Sequence, residues 1–308
     1  MTLRAAWSLT KEILAESRRD RLPKLSASLS YLAIFSLAPL LVITVGVAGF
    51  AFGLDTARGR IIQEIGGLVG PEGAQLIQTL LEHSYTDQAG PIATLLSLVT
   101  LFIAATAAFA DLQESLNLIW GVQPKPGGSA ILRLLQRRLL SFGLVVATGF
   151  LLLVSLVVST AISALRDYLG AEYSIDASLL QVVNILMSLF VAYALFLLMY
   201  RFLPDVRLSW RDVRMGALVT TILFVIGKSL IGLYLGRSAT TSMFGAAASL
   251  AILLIWIYYS AQIFFLGAEF TYVYARRYGS GVHPVEEAQK AKPRLRDRRA
   301  DPETVARS

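Results

Sequence analysis

A lysine and a glutamate inside long apolar runs are the residues of this sequence whose chemistry most needs an explanation. Lys228 lies within the apolar run 213–235, and Glu269 lies at the end of the run 245–270. An uncompensated charge in hydrocarbon costs on the order of 3 kcal/mol on insertion scales, so such residues often mark a substrate or ion pathway. A lysine stem can instead carry its ammonium group to the membrane surface, and the sequence leaves both interpretations of Lys228 open.

Tyr258, Gln262 and Glu269 form a polar stripe in the last apolar run. Their offsets of four and seven residues bring them to the same side of an α-helix. A polar stripe in an apolar helix should face protein or water rather than lipid. Hydrogen bonding between helices is the more ordinary explanation for such a stripe, and lining a substrate route is the alternative.

Residues for the common kinds of catalysis are missing from the sequence. It has no cysteine and only two histidines, His83 and His283. HExxH, Walker A and GxGxxG motifs are absent, so the sequence offers neither a set of zinc ligands nor a nucleotide-binding loop. A serine protease site would lack its histidine base. We therefore predict no enzyme activity, no cofactor and no metal site.

Six apolar runs must position the polar residues. Only 16% of the 308 residues are charged, whereas about 25% is usual in soluble domains. Each run is long enough to cross a hydrocarbon core of about 30 Å as a helix. The runs are 31–53, 91–110, 140–165, 179–200, 213–235 and 245–270. Since they lack the alternation of a membrane barrel, we predict an all-α bundle of six transmembrane helices.

Lys and Arg are distributed unequally between the segments that join these runs. Of the 28 basic residues, 23 lie in 1–30, 111–139, 201–214 and 271–308, and four lie in 54–90, 166–178 and 236–244. Positive charge stays on the cytoplasmic side during insertion. Both termini are therefore predicted to be cytoplasmic. Lys228 should lie in the outer half of the membrane and Glu269 near its cytoplasmic boundary.

This difference in depth predicts that Lys228 and Glu269 do not pair with each other. The predicted partners of Lys228 are the polar side chains at its own depth, namely Asn184, Gln181, Ser155 and Ser159. The predicted partners of Glu269 are Arg201, Arg276 and the segment 111–120.

The segments outside the runs carry further predictions about organisation. Residues 1–25 have the pattern of an amphipathic helix on an anionic cytoplasmic leaflet, and Pro23 should end it. Residues 26–275 form the six-span domain. Within them, 54–90 reads as two short amphipathic helices that either pack on the outer surface or cover an opening between spans. The basic tail 276–308 is predicted to be disordered.

Local signals predict how some of the helices end and pack. The second helix should continue through 110–121, where Gly121 and Pro124 stop it. Ser209 should cap the fifth helix. Gly216 and Thr220 have the small-residue spacing that suits close helix packing in lipid.

Several motifs in chain order resemble those of the YihY/BrkB family of membrane proteins. They are ASLSY (27–31), FSLAPLL (35–41), LQESLNLIWG (112–121), YRFLPD (200–205), WRD (210–212), GA (216–217), GAAAS (245–249) and GAE (267–269). The resemblance covers roughly residues 25–275 and depends on the combination of motifs. It implies a multi-pass protein of the bacterial inner membrane that is linked to envelope integrity and serum resistance. The label ribonuclease BN, which members of this family have carried, does not fit a sequence without metal ligands.

Together the residues and the resemblance predict a transporter or flippase of an amphipathic envelope molecule, such as an anionic lipid. The alternative is a scaffolding protein whose polar residues only lock the helices together. Candidates for either role are Lys228, Glu269, Gln262, Tyr258, Asn184, Arg201, Asn117, Glu114 and Tyr31. The predicted partners are membrane lipids, with anionic head groups at the cytoplasmic face. Nucleic acid is not a predicted partner, and a homo-oligomer is left open.

Overall fold

The computed structural model of this chain describes residues 3–69, 71–84, 91–124, 139, 143, 177–237, 246–279, 281–284 and 288–290. This part of the chain contains eight α-helices and four short strands. The helices are α1 (Leu3–Arg19), α2 (Leu22–Phe52), α3 (Leu54–Val69), α4 (Pro71–Ser84), α5 (Pro91–Ile119), α6 (Ala177–Phe202), α7 (Trp210–Arg237) and α8 (Ala246–Tyr278). The strands are β1 (Val122–Pro124), β2 (Val206–Arg207), β3 (His283–Pro284) and β4 (Ala288–Lys290).

The helical character of the predicted bundle is confirmed over most of the described residues. Three helical stretches are long and apolar enough to cross a membrane, and they belong to α6, α7 and α8: Ile185–Phe202, Trp210–Ile231 and Leu250–Tyr278. They coincide with the last three predicted spans. α2 and α5 are continuous helices over the first two predicted spans. The remaining span, 140–165, lies outside the described residues apart from Gly143.

The junction between α1 and α2 differs from the prediction. α1 ends at Arg19 and α2 begins at Leu22, ahead of both the predicted span start at residue 31 and the predicted boundary at residue 25. Arg21 adopts a left-handed conformation with φ of 55°, which interrupts the helical path. Pro23 lies in the first turn of α2, where its missing N–H costs no helical hydrogen bond. Pro23 therefore lies at the start of α2 and does not end α1, as had been predicted.

Small residues bring α7 and α8 into close contact. A Cβ atom on Gly216 would overlap Thr271, and a Cβ atom on Gly267 would overlap the hydroxyl of Thr220. Both threonine hydroxyls donate to carbonyls of their own helices, Thr220 to Gly216 at 2.8 Å and Thr271 to Gly267 at 2.7 Å. Close packing of this kind drives helix association where lipid removes the hydrophobic effect. The predicted role of Gly216 and Thr220 is confirmed.

The two short helices predicted within 54–90 are confirmed as α3 and α4. Ile77 and Leu81 of α4 are fully buried and share one hydrophobic cluster with Val45 of α2. An ion pair of 3.2 Å joins Arg58 of α3 to Glu82 of α4. These helices therefore pack into the bundle itself, against α2 and α8.

The segment after α8 corrects the prediction of a disordered tail from residue 276. β4 pairs with β1, with Lys290 opposite Val122, and β3 pairs with β2, with Pro284 opposite Val206. The chain that follows α5 and the chain that follows α6 present backbone groups that need partners, and the C-terminal segment supplies them. The amino-acid composition of a segment gives no indication of strand pairing with distant parts of the chain. Residues 291–308 lie outside the described residues.

We expect Gly267→Ala to destabilise the protein, because the new methyl group would meet the Tyr200 hydroxyl at 2.6 Å as well as overlapping Thr220. Overpacking of this kind costs about 1–3 kcal/mol. Gly46→Ala in α2 is the matched control, since a Cβ atom there meets nothing within 4 Å. That control should be neutral or stabilising, because alanine favours a helix over glycine by about 1 kcal/mol. Detergent unfolding curves of the two variants measure the difference, and equal midpoints would contradict the tight contact.

Candidate functional site

A cavity of about 790 Å³ lies between the α1–α2 junction and the paired helices α7 and α8. Its lining is mostly apolar, with Tyr259, Gln262 and Ser17 adding polar groups. The apolar residues are Leu14, Leu22, Pro23, Leu223, Ile226, Leu230, Ile263 and Leu266. A cavity with apolar walls and a few polar groups is the usual form of a small-molecule site.

Three basic side chains line the cavity from the α1–α2 junction. They are Arg18, Arg21 and Lys24, and all three are exposed. The left-handed turn at Arg21 separates the two helices on which Arg18 and Lys24 lie. An arginine fork matches a carboxylate or phosphate in two parallel hydrogen bonds, and lysine acts as a compact positive charge. The cavity can therefore accept an anion beside an apolar group.

Gly227 shapes the wall that α7 contributes. A Cβ atom at Gly227 would overlap Ile263 and lie 2.9 Å from the ring of Tyr259. The glycine thus keeps α7 tight against α8 at the cavity. The neighbouring Ile226 and Leu230 also line the cavity and are 53% and 57% exposed. The apolar lining is therefore continuous with the outer apolar surface of α7.

The predicted stripe on α8 contributes to the cavity in part. Gln262 lines the cavity and donates a hydrogen bond of 2.8 Å from Nε2 to the Tyr258 hydroxyl. This bond lies within one helix rather than between helices. Glu269, two turns further along α8, is fully buried.

Glu269 does not have the partners that the sequence predicted. Neither of its carboxylate oxygens has a hydrogen-bond partner among the described residues. Arg276 binds Glu16 at 3.6 Å instead. Arg201 donates to the carbonyl of Leu208 and lies over the Trp210 ring, 4.9 Å from its centroid. Neither arginine therefore forms a hydrogen bond with Glu269 in the structure.

α1 packs against α8, and Arg277 joins the two helices further along through Ser8 at 3.0 Å and Glu12 at 3.7 Å. Sequence reasoning placed α1 on the lipid surface and so missed this contact. One signal in the sequence could have indicated this contact. Two acidic residues lie one helical turn apart at positions 12 and 16, and two arginines lie at the end of α8.

Asn117 holds the segment after α6 against α5. Its Nδ2 donates to Asp205 Oδ2 at 2.8 Å, and its Oδ1 accepts from the Asp205 backbone N–H at 2.8 Å. Gln113 adds a bond of 3.2 Å to Asp205 Oδ1.

Tyr200 forms a second polar contact that the site prediction missed. Its buried hydroxyl lies 2.9 Å from Thr220 Oγ1 and donates to the Phe264 carbonyl at 2.7 Å.

The other candidates lie apart from the cavity. Tyr31 is 62% exposed and makes an edge contact with Phe35. Glu114 and Lys228 are exposed on α5 and α7. Asn184 lies in α6.

The predicted partners of Lys228 stay untested. The side chains of Gln181 and Asn184 are outside the described part of the structure, as are Ser155 and Ser159 as whole residues. The exposure of Lys228 fits a stem that carries its charge to a surface.

Comparison with known families decides where this chain belongs. The family model of the virulence factor BrkB matches residues 13–293. The chain is a member of the BrkB family. That match includes all of α8 and the last seven residues of α1, so the cavity and Glu269 lie in the part that the family model matches.

Curated relatives of this BrkB-family chain bear the name UPF0761 membrane protein. The one from Ralstonia nicotianae is 30% identical over 267 residues, covering 85% of this chain and 57% of the relative. The one from Pseudomonas paraeruginosa is 29% identical over 252 residues, covering 81% and 58%. The one from Tolumonas auensis is 28% identical over 255 residues, covering 82% and 80%. This chain thus spans under three fifths of the first two relatives. No solved structure matches it.

We expect Asn117→Ala to destabilise this BrkB-family protein, because it removes both hydrogen bonds to Asp205. Loss of a partner from a part-buried charged group costs about 1–3 kcal/mol. Glu114→Ala, one turn away on the exposed side of α5, is the control and should change stability by no more than about 0.5 kcal/mol. Denaturant titration in mild detergent compares the two. Equal losses would show that Asn117 does not hold the segment after α6.

Proposed function

We propose that this BrkB-family protein translocates an amphipathic anion of the lipid class across the bacterial inner membrane. The observation that carries the proposal is the cavity, where Arg18, Arg21 and Lys24 adjoin a largely apolar lining. A phosphate head group fits the basic side chains, and an acyl chain fits the apolar walls. The volume of about 790 Å³ falls within the range of about 300–1,000 Å³ that is usual for ligand cavities.

The open apolar wall supports a lipid rather than a water-soluble anion. Ile226 and Leu230 line the cavity and also belong to the exposed surface of α7. A lipid tail could therefore leave the cavity along α7 without entering water. The sequence has no nucleotide-binding motif, so we propose a gradient-coupled or energy-independent process without covalent catalysis. Membrane lipids are its proposed partners, and nucleic acid is not.

A scaffolding protein is the second candidate. The hydrogen bonds of Asn117 with Asp205 join α5 to the segment after α6, and the hydrogen bond of Tyr200 with Thr220 joins α6 to α7, so these polar groups are satisfied within the protein. Such contacts fit a protein that supports the envelope by its rigidity. This candidate predicts that changes in the cavity lining leave function intact and affect stability only.

We further propose six spans with both termini in the cytoplasm. The support is the concentration of 23 of the 28 basic residues in four alternate segments. In this orientation, Arg18, Arg21 and Lys24 would meet head groups of the cytoplasmic leaflet, whose surface potential is negative.

The absence of cysteine allows a direct test of this orientation. Ala15→Cys in α1 and Thr56→Cys in α3 both place a thiol at an exposed position. A membrane-impermeant maleimide should label Thr56→Cys in intact spheroplasts and Ala15→Cys only after permeabilisation. The opposite pattern, or equal labelling of both, would contradict the proposed orientation.

Purified protein in vesicles that contain labelled phosphatidylglycerol tests translocation. The double change Arg21→Gln and Lys24→Gln should slow transport roughly tenfold, as the loss of about 1.4 kcal/mol of head-group binding would give. Arg211→Gln is the control, because this exposed arginine on α7 lies outside the cavity lining. Labelled phosphatidylcholine shows whether the head-group charge matters, and Lys228→Met should leave the rate unchanged.

A second pair of variants tests the apolar wall in the same assay. Ile226→Trp should block transport by filling the cavity, whereas Ile222→Trp, one turn away and equally exposed, should not. Inactivity of the wild type with every lipid and gradient would instead favour the scaffold. Equal effects of the two tryptophans would remove the cavity from the pathway.

A further inference from the structure

The cavity beside the α1–α2 junction has a positively charged lining without a counter-ion. Arg18, Arg21 and Lys24 line it, and none of its other described lining residues is charged. Among the described residues, these three side chains have no ion pair. Asp20, the acidic residue of the junction, interacts with other residues and does not line the cavity. Like charges repel, and a charge beside an apolar surface is costly, so this lining favours a negative ligand.

The arrangement of charges on α1 explains why the cavity stays positive. The acidic residues of this helix lie toward α8. Glu16 binds Arg276 at 3.6 Å, and one turn earlier Glu12 binds Arg277 at 3.7 Å. These side chains neutralise one another at the contact between the two helices. Arg18 remains at the cavity, where no described acidic side chain meets it.

A buried hydroxyl at the cavity also lacks a partner. Ser17 lines the cavity and is 9% exposed, and its Oγ has no hydrogen-bond partner among the described residues. A buried hydroxyl without a partner is costly, so such a group is expected where a ligand supplies the partner. Ser17 directly precedes Arg18 in α1. The lining therefore combines positive charges with a hydroxyl that is free to donate.

These groups match a phosphomonoester better than a phosphodiester. A phosphomonoester has three terminal oxygens and carries a charge of about −1.5 to −2 at pH 7. A phosphodiester, such as the head-group linkage of phosphatidylglycerol, has two terminal oxygens and one negative charge. Arginine forks bind phosphate oxygens in pairs of hydrogen bonds, and lysine adds a compact positive charge. Three cations therefore offer more charge than one phosphodiester neutralises.

The apolar lining on α7 and α8 suits a ligand that also carries a hydrocarbon chain. Ile226 and Leu230 line the cavity and continue to the exposed surface of α7, and Ile263 and Leu266 line it from α8. A small soluble phosphate ester would leave this lining in contact with water. A lipid chain would cover it, which is favourable in proportion to the apolar area removed from water.

We propose that the cavity is a binding site for a lipid phosphomonoester, that is, a lipid whose head group ends in a phosphate. Arg18, Arg21 and Lys24 bind the terminal oxygens, and Ser17 donates its hydroxyl to one of them. The apolar lining holds the chain. That the ligand is a lipid rests on the proposed function, whereas the preference for a terminal phosphate rests on the charges and the free hydroxyl of the lining.

Native mass spectrometry of the purified full chain measures the affinity for individual lipids. Dioleoyl phosphatidate and dioleoyl phosphatidylglycerol have the same chains and differ only in the head group. At about pH 8, phosphatidate should bind about tenfold more tightly, as one additional hydrogen bond to a charged group gives. An equal or weaker affinity for phosphatidate overturns the proposal.

The pH dependence of this preference tests whether the second negative charge is recognised. A phosphomonoester loses its second proton at about pH 6, so at about pH 5 phosphatidate carries one charge, as phosphatidylglycerol does. The ratio of the two affinities should therefore fall from about ten toward one between about pH 8 and pH 5. The ratio cancels any titration of the protein that affects both lipids equally. A ratio that is independent of pH overturns recognition of the charge.

Two matched serine variants test the contribution of Ser17. Ser26 of α2 is also buried, and its Oγ likewise has no partner among the described residues, but it does not line the cavity. Ser17→Ala should lower the affinity for phosphatidate about tenfold, and Ser26→Ala should leave it unchanged. Both changes remove an unsatisfied hydroxyl, so neither should impair folding. Equal affinities of the two variants overturn the assigned role of Ser17.

A soluble ligand with the same head group tests the contribution of the chain. Glycerol 3-phosphate is a phosphomonoester without a hydrocarbon chain. At equal concentration it should not displace phosphatidate, because it leaves the apolar lining uncovered. Displacement at equal concentration would mean that the site takes a soluble phosphate ester, and it overturns the assignment to a lipid.

None of these binding measurements depends on transport. If phosphatidate binds with the expected preference while vesicles move no lipid, the phosphomonoester site stands and the proposed translocation falls. If vesicles move lipid but phosphatidate and phosphatidylglycerol bind equally at every pH, the translocation stands and the phosphomonoester site falls.

Discussion

The close approach of α7 and α8 is the constraint on which the rest of this structure depends. Gly216 and Gly267 leave room for Thr271 and Thr220, so the two backbones meet where any larger residue would separate them. Lipid is as apolar as the side chains, so only packing and polar contacts can hold such helices together. The Tyr200 hydroxyl reaches both Thr220 and the Phe264 carbonyl because the two helices are this close. The same proximity, continued at Gly227, forms one wall of the cavity.

The elements around this helix pair are held by different kinds of contact. The segment after α6 is fixed by Asp205 and Asn117 and by strand pairing with the chain that follows α8. α1 is joined to α8 by side chains, namely the ion pairs of Glu12 and Glu16 with arginines at the end of α8 and the hydrogen bond from Arg277 to Ser8. These contacts hold the α1–α2 junction, which lines the cavity, beside α8.

Sequence patterns predicted the structural features that depend on one segment of the chain alone. Apolar length predicted the long helices, and helical spacing predicted α3 and α4. Two features depend on partners distant in sequence, and neither was predicted. The strands at 283–284 and 288–290 exist only because the chain after α5 and α6 presents backbone groups to them. α1 has the composition of a surface helix, but Glu12 and Glu16 find arginines at the end of α8. Glu269 was predicted to pair with an arginine or with the segment 111–120, yet its carboxylate has no hydrogen-bond partner among the described residues.

The buried polar groups of the bundle distinguish between the two candidate functions, transport and scaffolding. A scaffold needs its buried polar groups satisfied, and Asn117, Asp205 and Tyr200 meet that requirement. Glu269 and the buried hydroxyl of Ser17 do not, at least among the described residues. Replacing an unsatisfied buried carboxylate with an apolar side chain of similar volume is often stabilising, so a purely structural role gives no reason for a glutamate there. Ser17 lines the cavity that carries the proposal of transport, so its unsatisfied hydroxyl favours a ligand site there over a purely structural bundle.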